Sequence, residues 1–434
     1  MTESGLRDPF PGHRRVLLLA YFYPPENASG AARPGRFAKY LPSFGYEVHV
    51  IANALEGGNG EAGVSRVPDR ELTGGDRAAA KALEWFHRHV APYNDRLPWI
   101  PHVVRQGREL AVAQRFDAIL STSPPAGAHL AARRLKRRFG WPWIADFRDP
   151  LKGNPFRTRQ AGIPYDIALE RMIFDTADLL VANTDSLAES WLRRYPQAHS
   201  RIRVLWNGYD PEDSFPREVA PPDGARSILS HVGSLYGPRR PDVLLGSVGR
   251  LVRSGRLDPS EIRMRFIGPV EAEIAAAIHR EYADLDRMGV LECHGEVVST
   301  VEARNAMLGS DQLLLLDLNG TGDSLQVPAK LFDYVRARRP ILAFTPKESP
   351  TARILDKCGM PAVCIDPEGP EGAADERILH FLRSRHCRVE PSEWFQREFD
   401  GKRQAATLAA FLDEVLPGRA AGAHAPVPTV ADAY

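Results

Sequence analysis

The sequence lacks the patterns that mark several classes of protein. Its four cysteines show no paired CxxC spacing and no histidine cluster, which argues against a structural zinc site or a disulfide framework and favours a reducing cytoplasm. The cysteines are Cys293, Cys358, Cys364 and Cys387. The longest early apolar run, residues 16–23, falls far short of the roughly 20 residues that span a bilayer, and the N-terminus has no signal-peptide core. We therefore expect a cytoplasmic protein that does not cross a membrane.

An excess of charge of either sign is also missing. The chain has 56 basic and 55 acidic residues, a formal net charge of +1. This balance gives no general electrostatic attraction to nucleic acid, so we expect no nucleic-acid partner. The GxGxxG fingerprint of dinucleotide-binding proteins does not follow the first strand. At 434 residues, the chain exceeds what one hydrophobic core usually supports, which predicts two domains.

Apolar runs alternate with helical segments along most of the chain. Residues 15–20 predict a buried parallel strand, a helix follows at about 36–43, and residues 48–52 predict the next strand. The alternation runs to about 207 and resumes from 228 to 344. It predicts an α/β protein with two Rossmann-like, doubly wound domains that face an inter-domain cleft.

The alternation also sets the expected domain boundaries. The first domain covers residues 14–207, with a Gly-rich and polar, then partly helical, insertion at 53–115. The second covers residues 208–391, and a helix at 392–417 is expected to pack back on the first domain. The tail, residues 418–434, is small, polar and Pro-containing, which predicts disorder.

The most informative segment is residues 327–344, VPAKLFDYVRARRPILAF. An extended turn leads into a predicted helix that opens with Lys330 and carries Asp333 three residues later. A helix N-terminus offers free N–H groups and a positive dipole end to a diphosphate. Lys330 adds a mobile charge, and Asp333 can accept hydrogen bonds from ribose hydroxyls. The alternative is an ordinary amphipathic αβ unit with a solvated Lys and Asp.

Two loops of the first domain follow predicted strands. The loop at 23–32 has small residues around Gly30, where a backbone comes close to a ligand. The segment WIADFRDP, residues 143–150, places Arg148 and Asp149 just past a buried strand, where open α/β sheets bind ligands. The alternatives are a plain βα connection for the first loop, and a turn salt bridge of Arg148 with Asp146 or Asp149 for the second.

The first strand of the second domain leads into HVGSLYGPRRP, residues 231–241. Gly233 opens this loop, and Arg239 and Arg240 precede the next helix. A guanidinium group pairs bidentately with phosphate oxygens, so this arrangement suits an anion. A solvated basic helix start is the alternative, although cations are unfavourable at a helix N-terminus.

Together these segments resemble those of the retaining glycosyltransferases of family 4, which have the GT-B fold. Lys330 and Asp333 match the P-x-K-L-F-D/E-Y variant of the donor motif, whose carboxylate holds the donor ribose. Arg239 matches the Arg of G-x-L-Y-x-x-R, which contacts the donor diphosphate. Arg240 is the alternative match to the same Arg. Asp323 departs from the family's usual pair of Glu residues, which leaves Lys330 and Asp333 as the firmer pair.

The same resemblance implies further site residues. Gly30 stands where the family usually has a Gly pair facing the donor phosphates and the acceptor. Arg148 stands where the family usually has a His, so Arg148, Asp149 and Gly30 are the candidate catalytic residues. Gly233 and the turn at Glu296–Val297, which resembles the turn bordering the nucleobase, join Arg239, Arg240, Lys330 and Asp333 as candidate donor-binding residues.

The resemblance implies transfer of a sugar from a nucleoside-diphosphate sugar to an acceptor hydroxyl with retention of configuration. Cell-surface polysaccharide or glycosylated-metabolite biosynthesis is the expected setting. We expect no cofactor and no metal, because cationic side chains can neutralise the leaving diphosphate and no DxD motif lies in a suitable loop. The alternatives are another GT-B enzyme, of the epimerase or phosphorylase type, and a non-catalytic nucleotide-sugar-binding partner subunit.

The expected partners are the donor and an acceptor that the sequence does not identify: a glycan, a lipid-linked sugar or a small molecule. Acceptor contacts are expected in residues 53–115. The basic run at 133–138 is typical of a solvated helix face, and the alternative is peripheral docking on anionic lipid at the inner face of the membrane. The donor sugar, its base, the linkage formed and the oligomeric state do not follow from the sequence.

Overall fold

The computed structural model describes residues 13–26, 28, 30–55, 61–69, 95–157, 162–215, 226–237, 239–317, 325–384 and 388–416. These residues divide into two compact units. The first unit lies within Met1–Asp210 and Gly401–Tyr434, and the second is Pro211–Asp400. Each unit contains its own parallel sheet with flanking helices, so the prediction of an α/β protein with two Rossmann-like domains is confirmed.

The first unit is built on a seven-stranded sheet with the order β3-β2-β1-β4-β5-β6-β7. Its strands are β1 (Arg14–Ala20), β2 (Tyr46–Asn53), β3 (Val64–Val67), β4 (Ala118–Ser123), β5 (Trp143–Phe147), β6 (Leu179–Ala182) and β7 (Ile202–Val204). Its helices are α1 (Ala32–Tyr40), α2 (Trp99–Ala113), α3 (Gly127–Phe139), α4 (Ile163–Phe174) and α5 (Asp185–Arg194).

The second unit is built on a six-stranded sheet with the order β10-β9-β8-β11-β12-β13. Its strands are β8 (Ser227–Val232), β9 (Ile262–Ile267), β10 (Leu291–His294), β11 (Gln312–Leu316), β12 (Ile341–Phe344) and β13 (Ala362–Ile365). Its helices are α6 (Asp242–Arg253), α7 (Ala272–Glu281), α8 (Ala283–Arg287), α9 (Thr300–Leu308), α10 (Lys330–Arg336), α11 (Pro350–Lys357), α12 (Asp375–Arg383) and α13 (Glu393–Phe399).

Burial explains why the central strands read as continuous apolar runs. Residues 16–20 of β1 are fully buried, as expected for a parallel strand covered by helices on both faces. Each sheet reverses its strand order once, between β1 and β4 in the first unit and between β8 and β11 in the second. Ligands of open α/β sheets bind at the carboxyl ends of the strands beside such a switch point. The loops after β1, β4, β8 and β11 are therefore the places to look for a site.

The interpretation of residues 53–115 as an insertion needs correction where the structure describes them. Strand β3 pairs in parallel with β2 and forms the edge of the first sheet, so this stretch completes the Rossmann-like unit. The four-residue strand VSRV is half-buried and carries two polar residues, so no apolar run marks it in the sequence. Residues 56–60 and 70–94 of this segment lie outside the described part of the chain.

One continuous helix was expected at 392–417, and the structure instead has α13 and a final helix, α14 (Gly401–Val415). They are separated at Asp400, whose backbone is extended, with φ −68° and ψ 120°. Helix α14 packs on α1 in the first unit, where the hydroxyl of Tyr46 donates to Asp413 at 2.7 Å. The packing of a final helix on the first unit agrees with the prediction. The expected tail at 418–434 lies outside the described residues.

Candidate functional site

The carboxyl edge of the second sheet brings together three of the predicted residues, Gly233, Arg239 and Lys330. Lys330, the first residue of α10, places its Nζ 3.0 Å from Nε2 of His231, at the end of β8. Gly233 follows β8 with φ +126°, and a Cβ at this position would lie 2.6 Å from Nζ of Lys330. Only a glycine therefore leaves room for the ammonium group at this point.

The surroundings of Lys330 change its acidity. Burial and the positive charge of Arg239 lower the pKa of the Lys330 ammonium group to about 7. The imidazole of His231 is fully buried, and burial lowers its pKa well below the ordinary value, so it is neutral. The charged form of Lys330 thus donates to a neutral acceptor and is repelled by the charge of Arg239. An anion that entered this edge would relieve their mutual repulsion.

The two arginines of the loop after β8 differ in their partners. Arg239 donates from Nη1 to the hydroxyl of Tyr236 at 2.7 Å, and its guanidinium lies 5.2 Å from the centre of the Tyr236 ring. Arg240 donates from Nε to Asp242 at 2.6 Å, and this hydrogen bond raises its pKa. Because a carboxylate neutralises Arg240, Arg239 is the better candidate for contact with an anion.

Asp333 lies between two arginines. Its carboxylate is 3.8 Å from Nη2 of Arg304 and 3.8 Å from Nη1 of Arg336, and about a third of its side chain is exposed, 34%. Arg304 also pairs with Asp213 at 2.9 Å. Both guanidinium groups stack on the ring of Phe215. The two arginines orient the carboxylate while leaving part of it accessible to a hydroxyl-bearing ligand.

Glu296 and Val297 lie in the loop that follows β10. Both are exposed, Val297 with 77% of its surface accessible. The pairing of His294 with Ile267, and of Val232 with Ile267, places the end of β10 at the same sheet edge as Gly233. An exposed apolar residue here can pack against a flat ligand group.

In the first unit, the structure gives Arg148 a role that the sequence did not reveal. Its guanidinium donates to the carbonyl groups of Gly30 and Pro124 and, from Nε at 3.1 Å, to that of Ser123. Arg148 is 9% exposed, and burial lowers its pKa to about 10. A Cβ on Gly30 would lie 2.6 Å from Nη1 of Arg148, so Gly30 makes room for this contact. Arg148 therefore holds the loops after β1 and β4 together.

The salt bridge considered between Asp146 and Arg148 is replaced by another pair. Asp146 accepts two hydrogen bonds from Arg33, at 3.0 and 2.7 Å, and one from Thr122 at 2.7 Å. Arg33 and Asp146 are each 1% exposed. Asp149 is half-buried beside Arg148, and its charge raises the pKa of that guanidinium. Asp149 is thus less buried than Arg33, Asp146 and Arg148.

Sequence reasoning missed His231, although one signal was present. A titratable residue interrupts the apolar run of β8, SILSHV, directly before the loop that carries Gly233. His129, in helix α3, is fully buried between the hydroxyls of Ser121 and Ser123, at 2.7 and 2.8 Å. Burial lowers the pKa of His129 to about 3.

The described residues offer neither a metal site nor a membrane-spanning helix. They contain no group of three or more His, Cys, Asp or Glu side chains arranged to hold a metal ion. No helix in the described part of the chain is long and apolar enough to cross a membrane. On the basic helix α3, Arg134, Arg137 and Arg138 are exposed, whereas Lys136 pairs with Asp178. Asp323, the doubtful ligand, lies outside the described residues.

Residues 35–213 match the family model described as Glycosyltransferase Family 4. A D-inositol 3-phosphate glycosyltransferase of Gordonia bronchialis is 30% identical over 105 residues, which cover 23% of this chain and 23% of that protein. A protein of the same description from a Nocardioides species is 32% identical over 109 residues, covering 23% and 22%. The chain thus matches under a quarter of the length of these curated relatives.

Solved structures resemble most of the chain. The sucrose-phosphate synthase of Thermosynechococcus elongatus has a TM-score of 0.66 at 12% identity, covering 93% of this chain and 99% of that one. The Anabaena protein Alr3699/HepE in complex with UDP-glucose has a TM-score of 0.58 at 14% identity, covering 93% and 100%. These likenesses show the fold: the two-domain α/β architecture of GT-B glycosyltransferases. The family match also supports the prediction of a transferase enzyme.

Proposed function

We propose that the protein is a glycosyltransferase that moves a sugar from a nucleoside-diphosphate sugar to an acceptor hydroxyl. The observation that carries this proposal is the placement of Lys330 and Arg239 at the carboxyl edge of the second sheet: Lys330 opens α10 with its Nζ 3.0 Å from His231, and Arg239 lies in the loop after β8. The match of residues 35–213 to the family model supports it, as do the relatives that are described as glycosyltransferases.

The donor diphosphate binds between Lys330 and Arg239 in this proposal. Arg239 offers a planar fork for two phosphate oxygens, and Lys330 offers a compact charge. Negative charge develops on the leaving diphosphate as the sugar departs, and both cations stabilise it. The proposed reaction needs no metal ion or other cofactor, since these side chains supply the positive charge.

The remaining groups of the second unit bind the nucleoside. Asp333, oriented by Arg304 and Arg336, accepts hydrogen bonds from the ribose hydroxyls. Glu296 and Val297 border the base, with the exposed Val297 against its face. Gly233 keeps the space that the Lys330 ammonium group occupies.

The first unit supplies the acceptor side. Asp149 and the loop at Gly30 are the candidate catalytic groups of the first unit in this proposal, and Arg148 positions that loop through its bonds to backbone carbonyls. The configuration is retained through front-face attack within an ion pair, in which the donor phosphate receives the acceptor proton. No side chain is therefore assigned as a general base.

The proposed setting is cell-surface polysaccharide or glycosylated-metabolite biosynthesis in the cytoplasm. The exposed arginines of α3 offer a small basic face to anionic lipid at the inner membrane surface. Flotation with vesicles that contain or lack phosphatidylglycerol tests this part. Binding to anionic vesicles alone, lost in Arg134→Gln/Arg137→Gln, supports peripheral contact, and absence of the protein from the floating fraction contradicts it.

A thermal-shift panel of UDP, GDP, dTDP and ADP sugars tests the proposal as a whole. One class of donor should raise the melting temperature, because a ligand that binds only the folded state stabilises it by mass action. Proton NMR of the product should then show the anomeric configuration of the donor. Release of an epimerised sugar or dependence on phosphate would favour another GT-B enzyme. Binding with no turnover over a broad acceptor panel would favour a non-catalytic partner subunit.

A further inference from the structure

His231 is held in one protonation state and one orientation. Its Nδ1 lies 3.0 Å from the carbonyl oxygen of Leu314 on the neighbouring strand β11. A carbonyl oxygen can only accept, so the imidazole hydrogen is on Nδ1 and Nε2 keeps its lone pair. The Lys330 ammonium group, 3.0 Å from Nε2, therefore donates to the imidazole. The main chain of β11 thus sets which atom faces Lys330.

Among the described residues, the groups that act on this pair carry positive charge or none. Lys330 and Arg239 act on His231 from α10 and from the loop after β8, together with the backbone of Leu314 and Ser234. On Lys330, burial and Arg239 are the influences within the described residues. A carboxylate at the position of His231 would form an ion pair with Lys330 and compete with a diphosphate. A neutral imidazole holds the ammonium group without neutralising it.

The main chain around Gly233 and helix α10 also fixes where the Lys330 ammonium group lies. The missing side chain of Gly233 leaves the space in which Nζ lies, and the main chain of Gly233 is fixed by a 2.7 Å hydrogen bond from its N–H to Ile267. Helix α10 is fixed in turn by the hydroxyl of Tyr334, which accepts from the N–H of Val232 at 2.8 Å. The ammonium group is thus placed before any ligand arrives, which reduces the ordering cost of binding.

We propose that His231 is a positioning residue of the donor site: it fixes the Lys330 ammonium group beside Arg239 and couples diphosphate binding to uptake of one proton by Lys330. This inference rests on the proposed function. Above about pH 7 the free protein holds Lys330 partly neutral. A bound diphosphate favours the charged form, so a proton from the solvent moves onto Nζ and stays there. No covalent bond of the ligand changes in this step.

Isothermal titration calorimetry of the full chain tests the inference. The probes are UDP-glucose, GDP-mannose, dTDP-glucose and ADP-glucose, whose diphosphate diesters do not titrate between pH 6 and 9. Two buffers of different ionisation enthalpy at each pH give the number of protons taken up. We expect uptake to approach one proton at pH 8–9, and the affinity to fall about tenfold per pH unit above about 7. Affinity independent of pH with no proton uptake would overturn the inference.

Two variants separate positioning from a structural role. His231→Gln keeps an amide oxygen near the place of Nε2, and we expect affinity within about threefold of the wild type. His231→Phe keeps the ring volume and removes the acceptor, and should weaken binding at pH 6 by about tenfold and move the loss of affinity to lower pH. Unchanged affinity and pH profile in His231→Phe would overturn the proposal.

Ser230→Ala is the matched control. It removes a buried 2.7 Å hydrogen bond to Ser310 from the adjacent position of β8, without touching Lys330. It should lower stability and leave the pH profile unchanged; a shifted pH profile in this variant would count against a specific role for His231. If His231→Phe does not fold, the number of protons that the wild type takes up on binding tests the inference by itself. Failure of all four probes to bind the wild type would overturn the proposed function as well, whereas pH-independent binding overturns this inference alone.

Discussion

The two units share one strand order but use charge in opposite ways at the carboxyl edges of their sheets. In the first, the buried Arg33 is paired with Asp146, and Arg148 donates to three backbone carbonyls. In the second, Lys330 meets a neutral imidazole and a neighbouring guanidinium, Arg239. In the first unit, protein carboxylate and carbonyl groups accept the hydrogen bonds of both arginines. In the second unit, positive charge remains available to a ligand.

The buried histidines show the same contrast. His129 lies between two serine hydroxyls, which are neutral groups, and its low pKa keeps it out of acid–base chemistry near neutral pH. His231 is equally buried, yet its free lone pair faces an ammonium group. Two units of similar fold can therefore use the carboxyl edge of the sheet differently, one to hold loops in place and the other to bind a ligand. The difference is set by whether each charge has an opposite charge beside it.

The largest effect is expected when the buried Arg33–Asp146 pair of the first unit is broken. Asp146→Ala leaves the guanidinium of Arg33 buried without its carboxylate, which should destabilise the first unit by about 3–5 kcal/mol. Urea unfolding followed by tryptophan fluorescence measures this loss. Asp284→Ala, which removes the exposed ion pair with Arg287, is the control and should cost under about 1 kcal/mol. Equal losses in the two variants would contradict the structural role of the Arg33–Asp146 pair.

The next prediction removes the charge of Lys330, on which no carboxylate acts among the described residues. Lys330→Met keeps the aliphatic length but loses the charge, and should weaken donor binding about 100-fold by calorimetry at pH 6–7. Lys347→Met, which changes an exposed lysine of the same unit, should bind as the wild type does. Wild-type affinity in Lys330→Met would mean that the diphosphate does not contact this residue.

The free-energy cost of burying the Lys330 ammonium group should appear in the pH dependence of stability. The pKa of Lys330 is about 7 in the folded chain and about 10.4 when unfolded, so the unfolded chain binds more protons between these values. This term therefore destabilises the ligand-free protein fully below about pH 7, and stability rises as pH increases towards 10. Relative to the wild type, Lys330→Met should gain about 1–3 kcal/mol at pH 6 and less at pH 9. A gain that does not change with pH in denaturant titrations would refute this.

The smallest effect distinguishes the two arginines of one loop. Arg239→Ala should weaken donor binding by about tenfold, since its guanidinium has no carboxylate partner in the described structure. Arg240→Ala should change affinity by about twofold or less, because Asp242 already neutralises Arg240. The reverse order of effects in calorimetry would exchange the two assignments.

Much of the fold was predictable because buried parallel strands leave a strong sequence signal. The apolar run predicted as a strand at residues 15–20 agrees almost to the residue with β1, Arg14–Ala20. Strand β13 was missed because it is short and half-buried. Residues 272–287 form two helices, α7 and α8, which are divided at Tyr282, whose backbone, with φ −122°, departs from the helix. Such a break depends on packing and not on local propensity.

The candidate site was predictable as a set of positions and less so as a set of contacts. Gly233, Arg239 and Lys330 were chosen from local motifs, and the structure brings all three together at one sheet edge. The contacts of Arg148 join residues 25 and 118 positions apart in the chain, so no local pattern could reveal them. His231 acts through a lysine 99 residues away, which only the pairing of β8 with β11 makes adjacent.

The most direct test is a crystal structure of the protein with the nucleoside-diphosphate sugar that stabilises it most. We predict diphosphate oxygens within hydrogen-bonding distance of Nζ of Lys330 and of the guanidinium of Arg239, with the ribose at Asp333. A diphosphate bound elsewhere, with Lys330 still directed only at His231 and Arg239 still on Tyr236, would contradict the account.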